Sequence, residues 1–219
     1  SSLFGDGSFC RFIHNYNDGG ISMQEQMIME IAQRIRTLRE IMEIPIAEMA
    51  QQTGLSADEY VAYEQGQGDF TFTFLYNCAQ AFGVDIIELI TGDAPKLSSY
   101  SIVRKGEGLD IKRRKGFTYN HLAYRFSGKI SEPFLVTAPF FEEEQSKPIH
   151  LSEHDGQEFD YIISGTLKMQ IDEHVEYLHA GDAIYYDSGH KHGMIAAGGE
   201  PCVFLAVVMK DESSKGEHN

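Results

Sequence analysis

Two stretches decide the fold: Glu158-Phe-Asp-Tyr-Ile-Ile-Ser-Gly165 and, further on, Gly181-Asp-Ala-Ile-Tyr-Tyr-Asp-Ser-Gly-His-Lys-His192. Each is a short run rich in aromatic and β-branched residues, the types that suit a pleated, half-buried surface, and each is bounded by a glycine that marks a turn. The same texture extends on both sides. Strands are predicted over 119–126, 134–138, 159–163, 167–171, 183–186 and 203–209, separated by Gly165, Gly181, Gly189 and the Gly198-Gly199 pair. Since no helical pattern alternates with them, residues 104–212 are expected to form an antiparallel β-barrel or jelly roll, with 213–219 as a polar tail.

Within this region His154 and Glu158 are four residues apart, which places them on one face if the backbone is extended. His192 lies beyond the Gly181-Asp182 turn. Two imidazoles and one carboxylate from neighbouring strands form a ligand set that leaves coordination positions open, as substrate-binding Fe, Zn, Ni or Mn sites require. The same residues also suit ordinary hydrogen bonds in a metal-free barrel.

The preceding part of the chain has a different period. Ile31, Ile35, Leu38 and Met42 form one stripe of an amphipathic helix, predicted over 28–42. A second short helix follows Pro45 and stops at Gly54, a natural left-handed end residue. Ser56 and Glu59 form a capping box for a third helix that buries Tyr60 and Tyr63. Helices over 72–82 and 84–91 close at Gly92. Five short helices with a tight turn between the second and third describe a helix-turn-helix domain over 28–92. Residues 93–103 are expected to be a linker and residues 1–22, with four glycines, an extension outside the fold.

Composition narrows the function. The 219 residues include 33 acidic and 18 basic side chains, a formal charge of -15, which excludes a protein that coats nucleic acid or anionic membrane by its overall field. Cys10, Cys78 and Cys202 show no metal-binding or disulfide spacing, so a reducing cytoplasm is expected. The apolar runs are too short to span a bilayer.

The two stretches quoted first resemble the paired motifs of a cupin barrel: Gly165 ends the first motif, Gly181 opens the second, and His192 occupies its metal-ligand position. The first motif departs from the usual pattern, because Ser152 stands where most metal-binding cupins have a histidine and His150 lies two residues earlier. The run Ile46-Ala-Glu-Met-Ala-Gln-Gln-Thr-Gly-Leu-Ser56 resembles the Cro/repressor (XRE) type of helix-turn-helix. Together the resemblances imply an α + β multidomain protein, a transcriptional regulator with a cupin sensor. They further imply operator DNA and a small-molecule effector as partners, a homodimer, a divalent metal at His154, Glu158 and His192, and no catalytic residues. The chain is also similar to the two-domain fosfomycin epoxidases, iron oxidoreductases that use two histidines and a glutamate. Tyr119-Asn-His-Leu is similar to the tyrosine-bearing strand of their pocket, which implies a ligand pocket at Tyr119, His121 and Tyr161. Their active-site lysine after the first helix has no counterpart in Met42-Glu43-Ile44-Pro45.

The resemblance places Ser56, Ala57, Asp58, Val61 and Ala62 at the DNA-reading positions, but none of them is a guanine reader or a phosphate binder. Residues 29–92 hold three arginines and ten acidic residues. A basic cluster lies instead at Arg104, Lys105, Lys112, Arg113, Arg114 and Lys115.

Overall fold

The computed structural model describes residues 22–68, 70–111 and 116–210. Five helices come first: α1 (Met23–Ile41), α2 (Ile46–Thr53), α3 (Ala57–Glu64), α4 (Phe72–Phe82) and α5 (Ile86–Thr91). The first begins earlier than its apolar stripe because Ser22 and Glu25 form a second capping box: the Ser22 hydroxyl accepts from the Glu25 N–H and the Glu25 carboxylate from the Ser22 N–H. Ile28, Ile31 and Ile35 are buried, whereas Met42 caps the helix and is largely exposed. Gly54 ends α2 with a φ of 69°, in the left-handed region that favours glycine. The Ser56–Glu59 box opens α3 as the sequence predicts. The last helix starts at Ile86 because the Asp85 carboxylate caps it, accepting from the Ile87 N–H. None of these helices is long and apolar enough to cross a membrane.

Nine strands follow: β1 (Leu109–Ile111), β2 (Thr118–His121), β3 (Ser131–Ala138), β4 (Gln157–Ser164), β5 (Thr166–Ile171), β6 (His174–His179), β7 (Ala183–Asp187), β8 (His192–Ala197) and β9 (Cys202–Met209). They form a six-stranded sheet in the order β1-β2-β3-β9-β4-β7 and a three-stranded sheet in the order β6-β5-β8. Pairing within both sheets is antiparallel. Alternate residues of β3, β4 and β9 point inward, so Phe134, Val136, Ile162, Phe204 and Val208 form the barrel core with Leu167 of β5. Three strands were not expected. Most of β6 is exposed, so its sequence carries no alternation of apolar and polar residues, while β1 is very short and β8 begins at a residue that reads as a ligand. The expected strand over 119–126 ends at His121, whose Nδ1 accepts from the Ala123 N–H as the chain turns away.

The buried residues of helices and barrel form one continuous apolar cluster. The connecting segment is tied to the barrel where Leu97 donates to the Arg125 carbonyl and accepts from the Ser127 N–H. The first turn of α4 lies against the mouth of the barrel, where Phe72 packs on Tyr119 and Phe134.

Candidate metal centre

His192, the first residue of β8, is fixed by its main chain. Its N–H donates to the Ser152 carbonyl at 2.9 Å, and its own carbonyl accepts from the Ser152 N–H at 2.8 Å. Gly193 makes this crossing possible, since a Cβ there would lie 2.2 Å from the His150 carbonyl oxygen. The spacing of four predicts one extended strand for both residues, but His154 lies before the Asp155-Gly156 bend that leads into β4 and meets Glu158 across it. Glu158 is the first inward residue of β4, opposite Tyr186 of β7.

These three side chains are buried, and their ligand atoms all lie within 4.8 Å of one another. His154 Nε2 is 3.4 Å from a Glu158 carboxylate oxygen, and the two imidazoles stand nearly perpendicular with centroids 5.1 Å apart. Both rings donate from Nδ1 to backbone carbonyls, His154 to Asp155 at 3.2 Å and His192 to His190 at 2.8 Å. That fixes the tautomer and leaves each Nε2 lone pair for a ligand, the usual support of a metal-binding histidine.

Local electrostatics favour a cation. Burial opposes charge on Glu158, but the adjacent His154 and the nearby His192 more than offset it, holding the carboxyl below its ordinary range. Asp160, two residues along the same inward face, is pushed well above its ordinary value by burial and then by Glu158. Neither Asp160 oxygen nor the buried Tyr186 hydroxyl has a hydrogen-bond partner of normal geometry. Burial also lowers the pKa of His192, which keeps its imidazole neutral. Among the described residues, no lysine or arginine pairs with Glu158 or Asp160. Two imidazole nitrogens and one carboxylate oxygen therefore fit a divalent metal, with the remaining positions open to the cavity.

They face a cavity of about 420 Å³. Tyr119 lines it with Phe117, Met194 and Phe204, and the exposed His150 and Lys147 stand on its rim. The other two pocket candidates lie elsewhere. His121 is fully buried and donates from Nε2 to Glu132 at 2.6 Å, making it part of the framework. Tyr161 is 42% exposed because the alternation of β4 turns it to the outer surface. Thr71, Phe72 and Thr73 of the helical region also line the cavity. Phe72 reads as an ordinary core residue in sequence, and no spacing signal links it to a pocket built by a distant part of the chain.

At the expected DNA-reading positions, Ser56 is engaged as the α3 cap, Ala57 and Asp58 are exposed, and Val61 and Ala62 are half-buried. The helical arginines are all engaged: Arg34 with the Leu89 and Ile90 carbonyls, Arg36 with Glu40, and Arg39 with Glu64. Arg104 and Lys105 are exposed, whereas Lys112, Arg113, Arg114 and Lys115 lie outside the described residues, as do 1–21 and 211–219.

The helix-turn-helix family model matches residues 35–89, and the cupin domain model matches residues 141–208. No curated protein matches the sequence. Among solved structures, the chain is similar to an HTH_3 family transcriptional regulator from Vibrio cholerae, with 21% identity and a TM-score of 0.60 over 87% of this chain and 100% of that one. Hydroxypropylphosphonic acid epoxidase from S. wedmorenis aligns with 22% identity and a TM-score of 0.44 over 83% of this chain and 98% of that one. The chain is thus a helix-turn-helix domain of the HTH_3 (XRE) type followed by a cupin domain.

Proposed function

We propose that the protein is a cytoplasmic transcriptional regulator whose helical domain engages operator DNA under the control of a small effector held at the cupin cavity. The observation that carries this reading is a helix-turn-helix domain joined to a barrel whose cavity opens onto a buried two-histidine, one-carboxylate centre. A divalent metal at His154, Glu158 and His192 would supply a Lewis-acidic anchor for an oxygen donor of the effector. Base contact falls to Ser56, Ala57, Asp58, Val61 and Ala62 on α3. With its arginines engaged internally, the domain has few cations for phosphate, so specific binding should show a shallow salt dependence.

The operator implies a homodimer, since paired half-sites mirror a two-fold axis. The outer face of the six-stranded sheet suits a second copy: Leu135, Leu205, Val207 and Tyr161 stand side by side across β3, β9 and β4, each half-buried or exposed. Selection of DNA from a random pool at low salt tests the reading. Enrichment of a palindrome with half-sites about one helical turn apart is expected. Failure to enrich any sequence would overturn it.

The open coordination side of the triad favours one second reading, a mononuclear iron oxidoreductase. Substrate-dependent oxygen uptake by the Fe(II)-loaded protein with small phosphonates or hydroxy acids would support it, and no uptake would remove it.

A further inference from the structure

The helical domain reaches the candidate metal centre directly. The Phe72 ring meets His154 edge-on at 6.2 Å, and the Tyr76 ring lies 5.3 Å from the same imidazole. Phe72 also stacks on Tyr119 at 6.0 Å and meets Phe134 at 5.0 Å, closing one wall of the cavity. One residue on, the Thr73 hydroxyl lies 3.2 Å from the Ser152 hydroxyl. Ser152 in turn exchanges both main-chain hydrogen bonds with His192. The first turn of α4 therefore touches one candidate ligand through aromatic rings and the other through Ser152. Its opposite side faces the helix-turn-helix: Phe74 packs against Tyr63 of α3 at 4.5 Å and against Tyr60 at 6.3 Å.

We propose that this turn of α4 is a working wall of the site, which senses occupancy through His154 and Ser152 and relays it through Phe74 to α3. The inference rests on the metal-bearing cavity proposed above and names its regulation. Ligation fixes the ring of a coordinating histidine, and the ring is the surface on which Phe72 and Tyr76 pack. Any restriction of His154 is felt by α4, and by reciprocity any loosening of α4 weakens ligand binding. Ser152 has a specific part in this: at a position where the cupin pattern has a ligand, its side chain instead joins the two domains. A ligand that fills the cavity meets Thr71, Phe72 and Thr73, so the helical domain also shapes what the cavity accepts.

The test uses the full chain with Co(II) alone as probe. Visible absorbance reports occupancy and amide hydrogen exchange reports each segment. Saturation should slow exchange at the start of α4 and in α3 by roughly 5-fold or more, leaving β6 unchanged. Thr73→Val keeps the volume and removes the hydroxyl. It should abolish most of that protection in α3 and weaken Co(II) binding several-fold, and adding Ser152→Ala should cost little more, because both act on one contact. One equivalent of bound Co(II) with unchanged exchange in α4 and α3 overturns the inference and leaves the metal site standing. Absence of Co(II) binding overturns both.

Discussion

Two buried pairs of histidine and carboxylate lie in the same barrel, and their neighbours differ. Around Glu132 stand His121 at 2.6 Å, Lys129 at 3.8 Å and Lys210 at 3.7 Å. Lys129 also reaches Asp85, the cap of α5, at 2.6 Å. Around Glu158 stand His154, His192, Asp160 and Tyr186, and among the described residues no ammonium or guanidinium pairs with it. In the first cluster two lysines match two carboxylates, both nitrogens of His121 are engaged, and the result is a latch between the domains. In the second cluster the carboxylate charge is unmatched and both Nε2 atoms face one point, an arrangement that favours a cation from solution. Burial of a carboxylate is costly without a compensating charge, so the third partner decides whether such a pair is framework or site.

The largest effect should come from removing a ligand. His154→Ala, His192→Ala or Glu158→Gln leaves two donors of three, and divalent-metal affinity measured by competition with a chelator should fall by more than about 100-fold, beyond what loss of a supporting contact costs. Breaking the latch should leave affinity nearly intact and affect stability instead. Lys129→Met removes the ammonium that joins Asp85 to Glu132, leaving Glu132 with His121 and Lys210, and urea unfolding should show a loss of about 3–5 kcal/mol. A Lys129→Met protein as stable as the parent would remove the distinction between the clusters.

The pH response sharpens the comparison at one residue. Burial lowers the pKa of His192, so in the metal-free folded protein it should titrate below the ordinary value of about 6.5. The unfolded chain then takes up its proton first. This residue's contribution to stability is present above about 6.5 and is lost as the pH falls through the folded value. A nuclear magnetic resonance titration of the His192 ring with a midpoint at or above 6.5 would contradict the assignment. The smallest effect belongs to His150→Ala, which removes an exposed ring from the cavity rim and should change metal affinity less than about twofold, as an exposed side chain off the site should.

Much of this was legible in the sequence, for local reasons. The Ser56–Glu59 box and Gly54 mark helix ends through contacts within one turn, and the glycines between the strands mark turns in the same way. The Ser22–Glu25 box uses the same device but precedes an exposed Met23, so the apolar stripe gave no reason to look there. Residue type and spacing point to His154, Glu158 and His192 as neighbours, and the structure brings the three together, although a bend rather than a shared strand joins the first two. What stayed hidden depends on contacts distant in sequence. Neither the capture of His121 by Glu132 nor the approach of Phe72 to His154 leaves a periodic trace. The placing of Tyr161 in the pocket failed on parity: in β4 it alternates with Glu158 and Asp160 and so faces outward.

The central claim is that the unmatched carboxylate cluster is a cation site and the matched one is not. Metal content of the purified chain, with X-ray absorption at the edge of whatever metal is present, tests it most directly. The account predicts one divalent ion per chain in a first shell of two imidazole nitrogens and additional oxygens, lost in Glu158→Gln and retained in Lys129→Met. A folded chain that takes up no divalent ion at pH 7.5, or one that keeps its ion in Glu158→Gln, would contradict it.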